Sequence, residues 1–415
     1  MTTVALAQAL LQRLEAESPP AAFEALRACS RICRERGVPL YLVGGAVRDL
    51  VLGHPGYDID LALEGDAVAM SHFLAEKTGG REVTHVRFGT ARVSGHGFRL
   101  DLARTRRERY PHAGSLPVVE PATLAEDLAR RDFTINAVAL RLEPVPAEVI
   151  DPFRGVADAR SRLVRVLHDR SFQDDATRIL RAVRYAARLD FKIATQTAAL
   201  IRRDLSYLST ISGPRLRREL ALLFEEPGAV AGSRLAQQLG VLEAIHPALQ
   251  LAQDVAGRWQ TALGGPRLAP LDELGFCVVA NPADHGTAAA VSKWLHLTGR
   301  VERALGGLVR LKSQSPKLVA MRETPSQATE LLDGCVPAAV WALAVVKGGE
   351  TATVCLDYLS SWRHVRPTLT GDDLLGMGLP PGPELGKTLS RLRAARLDGR
   401  ITTRHDELEI VRGLT

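Results

Sequence analysis

Long apolar runs and a disulfide pattern are both missing from this chain of 415 residues. No stretch approaches 18 consecutive apolar residues, so no membrane-spanning helix is expected. The five cysteines are odd in number and widely spread, which argues against a disulfide framework. Cys29 and Cys33 lie four residues apart without a His or Cys nearby, and we interpret them as small buried residues and not as metal ligands.

A signal peptide, internal repeats and low-complexity segments are also not recognisable in the sequence. The first twenty residues lack a basic segment, and Gln, Arg and Glu interrupt their apolar positions. They predict a helix, and with it a cytoplasmic protein.

The composition suits a globular protein with a charged partner. Hydrophobic residues make up 46% of the chain, enough for substantial cores in two to four domains. The net charge is +6, and nearly all basic residues are arginine. Arginine binds phosphate and base edges well, which favours a polyanionic partner. A genome rich in arginine codons would give the same composition, so both explanations stay open.

The order of patterns predicts two kinds of architecture along the chain. Apolar periodicity predicts helices over residues 20–37 and 66–78 and strands near 82–88, 90–94 and 98–103, which together form a small mixed sheet. From about residue 173 the pattern is helical nearly to the end. We therefore expect an N-terminal α+β domain of about 150 residues followed by an all-helical body, with the irregular segment 266–286 as a linker.

Two aspartates stand one residue apart in the apolar segment "YDIDLAL" (57–63). On a strand, Asp58 and Asp60 point to one face, while Ile59 and Leu61 point into a core. Two such carboxylates repel each other unless a cation lies between them, and Mg²⁺ is the typical hard ion for oxygen ligands. A solvated edge strand is the alternative.

A third carboxylate, Asp101, occurs in another alternating segment, "GFRLDLARTRRERY" (97–110). If this strand lies beside the first, Asp101 completes a two-metal site for attack on a phosphorus atom. The alternative is that Asp101 only pairs with a neighbouring arginine such as Arg104.

The diglycine Gly44-Gly45 follows a predicted strand and begins a helix. Backbone N–H groups at such a turn bind phosphate, and Arg48 lies one turn further on. A strand, a diglycine, a helix with an arginine and a strand with Asp-x-Asp together indicate a nucleotidyltransferase palm.

Arginines recur at helical spacing in the segment 173–191, with Arg178, Arg181, Arg184 and Arg188 on one stripe. The spacing also places Asp175 on this face. Cytosine and adenine both present an amino donor beside a ring-nitrogen acceptor, and a carboxylate with a guanidinium can bind that pair of groups. Guanine and uracil present the reverse pattern.

These segments resemble the motifs of one known family. The stretch "VGGAVRDLVLG…YDIDLAL" is similar to the first motif of class II tRNA nucleotidyltransferases and bacterial poly(A) polymerases. The later motifs follow in the family's order, as "EDLARRDFTINAVAL" (126–140), "DPFRGVADARSRLVRVL" (151–167), "QDDATRILRAVRYAARLDF" (173–191) and, loosely, "ISGPRLRRELALLF" (211–224). The segment 369–399 is similar to the family's C-terminal helices.

The resemblance implies a fold, an arrangement of domains and an activity. The fold is α+β, with a DNA polymerase beta-like palm over residues 1–150, a helical nucleobase-recognition domain over 151–225 and a helical tRNA-binding region over 226–415. The activity is addition of C and A residues to the 3′ end of tRNA from CTP and ATP, with release of pyrophosphate. Magnesium is the implied cofactor, and neither a membrane nor a protein partner is implied.

The resemblance also implies roles for particular residues. Asp58 and Asp60 are the expected metal ligands. The nucleotide is expected to contact Gly44, Gly45, Arg48 and Arg131, with Asp132 and Asn136 near its ribose. Its base is expected to contact Asp175, Arg178, Arg181 and Arg184. Without the rest of the motif, Arg131 and Asp132 would be interpreted as a neutralised pair at a helix end.

Departures from the family's pattern and rival products leave several alternatives open. Asp174 stands where the family usually has Glu, Arg154-Gly155 where Gly-Gly is frequent, and Pro214 where Glu is common. Relatives that add only CC, only A, or a poly(A) tail share all these motifs. A non-catalytic RNA-binding descendant is a distant alternative, and no metal-dependent phosphohydrolase domain is expected.

Overall fold

The computed structural model describes residues 2–54, 59–112 and 114–413. The chain forms two compact units, Met1–Ile211 and Ser212–Thr415. The domain boundaries that we predict after residues 150 and 225 stay predictions, because one compact unit can contain more than one functional domain.

The first unit contains all the described strands. They are β1 (Leu40–Val43), β2 (Ile59–Leu63), β3 (Arg81–His85), β4 (Thr90–Gly95), β5 (Phe98–Arg104), β6 (Arg106–Arg109), β7 (Val118–Pro121), β8 (Ala139–Glu143), β9 (Glu148–Ile150), β10 (Leu163–Val164) and β11 (Lys192–Ile193). Its helices are α1 (Thr3–Glu17), α2 (Pro20–Glu35), α3 (Gly45–Leu52), α4 (Ala67–Thr78), α5 (Leu124–Ala129), α6 (Gly155–Arg160), α7 (Ser171–Asp174), α8 (Thr177–Leu189) and α9 (Thr195–Asp204). Short 3₁₀ turns cover Val86–Phe88, Thr134–Asn136 and Leu205–Thr210.

Seven of these strands form one mixed sheet, in the order β3-β4-β5-β2-β1-β8-β9. Strands β2 and β5 are parallel, and the other neighbours are antiparallel. The predicted mixed sheet is thereby confirmed. Strands β6 and β7 pair separately as a hairpin, and β10 pairs with β11.

One face of the sheet carries the main core of this unit. Ile59, Leu61 and Leu63 alternate into it from β2, beside apolar side chains of α1 to α4. Helix α2 shows why these segments form helices: Pro20 begins it, its buried residues recur at helical spacing, and Gly37 follows its end with φ of 64°. Cys29 and Cys33 are buried on this helix, as the sequence predicts.

The second unit contains helices and their connecting loops but no strand among its described residues, which confirms the predicted helical body. Its helices are α10 (Gly213–Glu225), α11 (Ala229–Gln238), α12 (Val241–Ile245), α13 (Gln253–Leu263), α14 (Leu271–Ala280), α15 (His285–Leu295), α16 (Gly299–Ala320), α17 (Pro325–Leu332), α18 (Pro337–Lys347), α19 (Gly349–Ser360), α20 (Gly371–Gly376), α21 (Pro383–Leu397) and α22 (Arg404–Arg412), with a 3₁₀ turn at Trp362–His364.

The predicted linker over residues 266–286 is wrong. Helix α14 lies inside it, and Phe276 packs edge-on against Phe224 with ring centres 5.1 Å apart. A Cβ at Gly275 would lie 2.3 Å from the Phe224 ring, so the glycine permits this close packing. The segment looked irregular because its flanks are rich in Pro and Gly, while its apolar centre is a core helix.

No single described helix has the length and apolar character needed to cross a membrane. Among the helices of the described part of the chain, the pair α17 and α18 meets that criterion when taken together, and the two are bent by 115°.

Candidate active site

Asp60 lies on the face of the sheet that is opposite the main core. It is exposed on β2, while its neighbours Ile59 and Leu61 are buried. The predicted alternation is therefore confirmed for this strand. Asp58 lies outside the described residues, so its place beside Asp60 stays a prediction.

Asp101 lies next to Asp60 on the neighbouring strand. Strands β2 and β5 run parallel, and Asp60 pairs in register with Asp101. The carboxylate of Asp101 accepts hydrogen bonds from Arg92 Nε at 2.7 Å and from Arg99 Nη2 at 2.8 Å. Burial would raise the pKa of Asp101, but the two arginines outweigh it and lower the pKa. The strand placement is thus confirmed, the ion-pair alternative is realised with these arginines and not with Arg104, and the catalytic role stays a prediction.

The diglycine forms a turn that only glycine adopts readily. Gly44 has φ of 69° and ψ of −130°, and it precedes α3, which begins at Gly45. A Cβ at Gly44 would lie 2.7 Å from Arg131 Nη1. The missing side chain therefore lets a guanidinium lie directly over the turn, next to the N-terminus of a helix.

Arg48 supports this turn from behind. It is buried, donates from Nε and Nη2 to Asp49 at 2.9 and 3.0 Å, and donates from Nη1 to Asn136 Oδ1 at 2.7 Å. Its predicted contact with the nucleotide stays a prediction, because in this structure its guanidinium is engaged by Asp49 and Asn136.

Asp127 holds two consecutive arginines in place. This buried carboxylate accepts from Arg130 Nη2 at 2.7 Å and from Arg131 Nη2 at 3.0 Å. Burial would raise the pKa of Asp127, but the charges of Arg131 and Arg130 lower it further than burial raises it. Arg131 is therefore paired one helical turn back, and not with Asp132.

Asp132 connects the sheet region with helix α8. Its Oδ1 accepts from the backbone N–H of Phe133 at 2.8 Å and from Asn136 Nδ2 at 2.9 Å. Its Oδ2 accepts from Arg181 Nε and Nη2 at 2.9 and 2.6 Å. Burial opposes ionisation, yet the pKa of Asp132 is lowered because Arg181 and Asn136 stabilise the charged form.

Arg178 and Asp175 lie at the beginning of α8. Arg178 is buried, and it donates to Ser171 Oγ at 2.8 Å and to the backbone oxygen of Arg130 at 2.7 Å. Asp175 precedes the helix, with an extended backbone, and its Oδ1 accepts from the N–H and Oγ1 of Thr177. The prediction that Asp175 shares a helical face with Arg178 is therefore wrong, because the helix begins only at Thr177.

The arginine stripe of α8 is less uniform than its spacing predicts. Arg178 is buried, Arg181 and Arg184 are partly exposed, and Arg188 is exposed. Tyr185 lies among them, with guanidinium carbons of Arg48, Arg181 and Arg184 at 5.4, 5.6 and 5.7 Å from its ring centre. The solvent exposure of the arginines therefore increases along the helix from Arg178 to Arg188.

Most of the predicted nucleotide-binding residues line one cavity of about 350 Å³. We call it the nucleotide cavity. It is lined by Gly44, Gly45, Asp60, Glu108, Tyr110, Arg130, Arg131, Asp132, Asn136, Asp175, Arg178, Arg181 and Tyr185. Arg48 and Arg184 do not belong to this lining, and Asp101 lines a neighbouring cavity of about 360 Å³.

Two family models and several known proteins match this chain. A model described as the poly A polymerase head domain matches residues 40–165, and one described as a probable RNA and SrmB-binding site of polymerase A matches residues 190–252. A CC-adding tRNA nucleotidyltransferase of Deinococcus radiodurans is 33% identical, over 90% of this chain and 88% of that protein. The chain belongs to the tRNA nucleotidyltransferase and poly(A) polymerase family.

Other members of the tRNA nucleotidyltransferase family differ in length and in named product. An A-adding tRNA nucleotidyltransferase of Geobacter sulfurreducens is 34% identical over 93% of this chain, which spans only 46% of that protein's length. The solved structure of the Thermotoga maritima CCA-adding enzyme complexed with tRNA(CCA) has a TM-score of 0.78 and 27% identity, and covers 97% of this chain and 98% of that one. The family resemblance and the palm-type fold are therefore confirmed.

Sequence reasoning missed four residues of the nucleotide cavity in this family member. Glu108 lies on β6 and Tyr110 directly follows that strand, and the Tyr110 hydroxyl donates to Glu108 Oε2 at 2.9 Å. Burial and the Glu108 carboxylate raise the pKa of Tyr110. Arg130 donates to Glu108 at 2.9 Å, and Tyr185 packs edge-on against Phe133. The doublet Arg130-Arg131 was a usable signal, but the hairpin contact needs the fold.

Proposed function

We propose that this chain is a template-independent RNA nucleotidyltransferase that adds C and A residues to the 3′ end of tRNA from CTP and ATP. The observation that carries the proposal is one cavity that contains Asp60, the Gly44-Gly45 turn and the Asp175–Arg178 pair. A catalytic carboxylate, a phosphate-binding turn and a base-binding pair are the three parts that such a transfer needs.

Each part has a physical role in the proposed reaction. The terminal hydroxyl of the RNA attacks the α-phosphorus, the bond to the bridging oxygen breaks, and pyrophosphate leaves with the bonding electrons. The N–H groups at the start of α3 bind the phosphates, because Gly44 presents no side chain to block them. Arg131, held by Asp127, adds a positive charge over the turn.

Base selection is assigned to Asp175 and Arg178. Arg178 is fixed by Ser171 and by the backbone of Arg130, so its guanidinium has a defined orientation before the nucleotide binds. A fixed donor beside a carboxylate acceptor suits the amino and ring-nitrogen groups that cytosine and adenine share. The same pair would leave guanine and uracil with opposed donors and acceptors.

Magnesium is the proposed cofactor, and Asp58 and Asp60 are its proposed ligands. Among the described residues, no group of three or more His, Cys, Asp or Glu side chains is arranged to hold a metal ion. The donors nevertheless fit magnesium in kind, because Asp60 and Asp101 bring carboxylate oxygens to adjacent register positions. When bound, the ion would activate the hydroxyl and stabilise the leaving oxygens. We also propose a cytoplasmic location, with tRNA as the partner.

Asp60→Asn tests the catalytic assignment. The amide keeps the shape of the carboxylate but loses its charge, so incorporation of labelled CMP and AMP should fall by about 10³-fold or more. Binding of tRNA should stay within about twofold of wild type, because the change removes one local charge. Substantial residual transfer by Asp60→Asn would contradict the assignment. Glu64→Gln, directly after the same strand, serves as the charge-matched control.

Addition of only CC or only A is the second candidate function, and the names of the relatives favour it. The A-adding and CC-adding enzymes are 34% and 33% identical to this chain, against 27% for the Thermotoga CCA-adding enzyme. The deciding experiment supplies tRNAs that end at the discriminator base, in C, or in CC, each with CTP, ATP or both. Sequencing of the products separates CCA, CC-only, A-only and poly(A) addition.

A further inference from the structure

A second cavity of about 360 Å³ adjoins the nucleotide cavity on the open face of the sheet. The two cavities share Asp60, Arg130 and Arg131 in their linings. We call it the sheet cavity. Its volume lies within the range of about 300–1,000 Å³ that is usual for small-ligand sites.

Strand register explains both the space and the charge in the sheet cavity. Val83, Arg92, Asp101 and Asp60 are aligned in one row across β3, β4, β5 and β2. The next row is His85, Thr90, Ala103 and Ala62, whose last three side chains are small. Small side chains leave a trough over the sheet, and the row beside it carries the ionic groups.

Arg92 is the cation of this row that bonds to Asp101. Its side chain is 48% exposed and donates from Nε to Asp101 Oδ1 at 2.7 Å. Arg99 binds the other carboxylate oxygen from the adjacent row. A phosphodiester presents two oxygens in nearly the same geometry as a carboxylate, so it can replace Asp101 on these guanidinium groups.

We propose that the sheet cavity binds the 3′-terminal nucleotide of the RNA, and that Arg92 exchanges Asp101 for the last phosphodiester of that RNA. The proposal rests on the proposed function, since a transfer reaction needs its acceptor on the side of Asp60 that the nucleotide does not fill. In the exchange, Arg92 and Arg99 move from the carboxylate to the phosphate. Asp101 is thereby released beside Asp60 only when an acceptor is in place.

The exposed side chains at the edge of the trough fit a nucleotide base. Val83 is 44% exposed, and His85 is exposed next to it on the same face. An apolar surface and an imidazole ring can both contact a base without reading its identity. An acceptor end that changes with each addition requires such a tolerant surface.

Equilibrium binding of RNA tests the exchange without catalysis. The probe is a short RNA that ends in CC, titrated in EDTA and without nucleotide against wild type, Arg92→Ala and Arg92→Lys. Arg104→Ala is the matched control, because Arg104 is an exposed arginine at the end of the neighbouring strand β5, on the opposite face of the sheet. Circular dichroism checks that each variant is folded.

We expect Arg92→Ala to weaken RNA binding by roughly tenfold, as the loss of one charged phosphate contact does. The slope of log K against log salt should become shallower by about 0.7, the value for one contact on a single strand. Arg92→Lys should retain the wild-type slope, and Arg104→Ala should match wild type in both measurements. An unchanged slope in Arg92→Ala would overturn the proposal.

A neutral methylphosphonate at the last phosphodiester locates the contact. It should weaken binding to wild type by roughly tenfold and weaken binding to Arg92→Ala clearly less, because that variant keeps only the Arg99 contact with this phosphate. An equal loss for both proteins would show that Arg92 binds elsewhere or only supports Asp101. Failure of wild type to extend any RNA would refute the proposed function instead, and the binding data would still decide the role of Arg92.

Discussion

The ion pair between Asp132 and Arg181 gives the sharpest test of how the nucleotide cavity is held together. Asp132 is 9% exposed, and Arg181 donates two hydrogen bonds to its Oδ2. The perturbation is a double-mutant cycle of Asp132→Asn, Arg181→Met and the double variant. Asparagine keeps the Oδ1 contacts to Phe133 and Asn136, so the cycle isolates the contact with the guanidinium.

The structure sets the expected size of this coupling. Hydrogen bonds to charged groups contribute about 1.5–3 kcal/mol each, whereas exposed ion pairs contribute at most about 1 kcal/mol. The Arg181 side chain is 31% exposed, so the coupling free energy should be smaller than that of a fully buried ion pair. We therefore expect a coupling free energy of about 2 kcal/mol between the two side chains.

The assay must report on the first unit alone, and the sequence provides an internal control. All four tryptophans, Trp259, Trp294, Trp341 and Trp362, lie within Ser212–Thr415. During urea unfolding, hydrogen exchange of peptides from β1, β2 and α8 monitors the stability of the first unit. Tryptophan fluorescence monitors the stability of the second unit. The substitutions should shift the exchange midpoint and leave the fluorescence midpoint in place.

A coupling below about 0.5 kcal/mol would refute this reasoning, because it would equal that of a solvated surface pair. Unchanged exchange in the α8 peptides of Asp132→Asn would do the same. The matched control is Asp190→Asn, which neutralises a fully exposed carboxylate at the end of α8 and should change the unfolding free energy by less than about 0.5 kcal/mol.

Three further substitutions or conditions have definite expected results. Gly44→Ala should lower the unfolding free energy by about 2 kcal/mol and raise the KM for nucleotide, because φ is 69° there, whereas Gly45→Ala in the helix should cost less. The stability advantage of wild type over Asp132→Asn, measured by urea unfolding, should be present above the unfolded pKa of about 3.9. It should disappear as the pH falls through the folded pKa, which lies lower because Arg181 outweighs burial. Glu407→Ala should lower the unfolding free energy of the second unit, measured by tryptophan fluorescence, by about 3 kcal/mol. Two backbone N–H groups and a guanidinium lose their buried acceptor in this variant.

Local patterns predicted the elements well where a single signal controls the backbone. The alternation around Asp60 gave the correct strand and the correct exposed face. The Gly44-Gly45 turn also lies where the sequence places it, because a left-handed φ before a helix selects glycine. These features depend on neighbours within a few residues, so one sequence is enough to find them.

Partners of the arginines were not predictable in the same way. Arg131 pairs with Asp127 and not with the adjacent Asp132, which instead binds Arg181 from another helix. Spacing limits which residues can meet, but the fold decides which of several carboxylates each guanidinium reaches. Asp175 shows the same limit, because periodicity alone could not reveal that helix α8 begins after it.

The carboxylates that pair with arginines of the nucleotide cavity also bear on how fast an anion can leave it. In this structure Arg131 pairs with Asp127, and Arg181 pairs with Asp132. An arriving polyphosphate therefore meets cations whose charge is already partly balanced, and we expect this to shorten its residence time. In an enzyme that must release pyrophosphate after every addition, such moderated attraction favours repeated turnover over tight retention of the product.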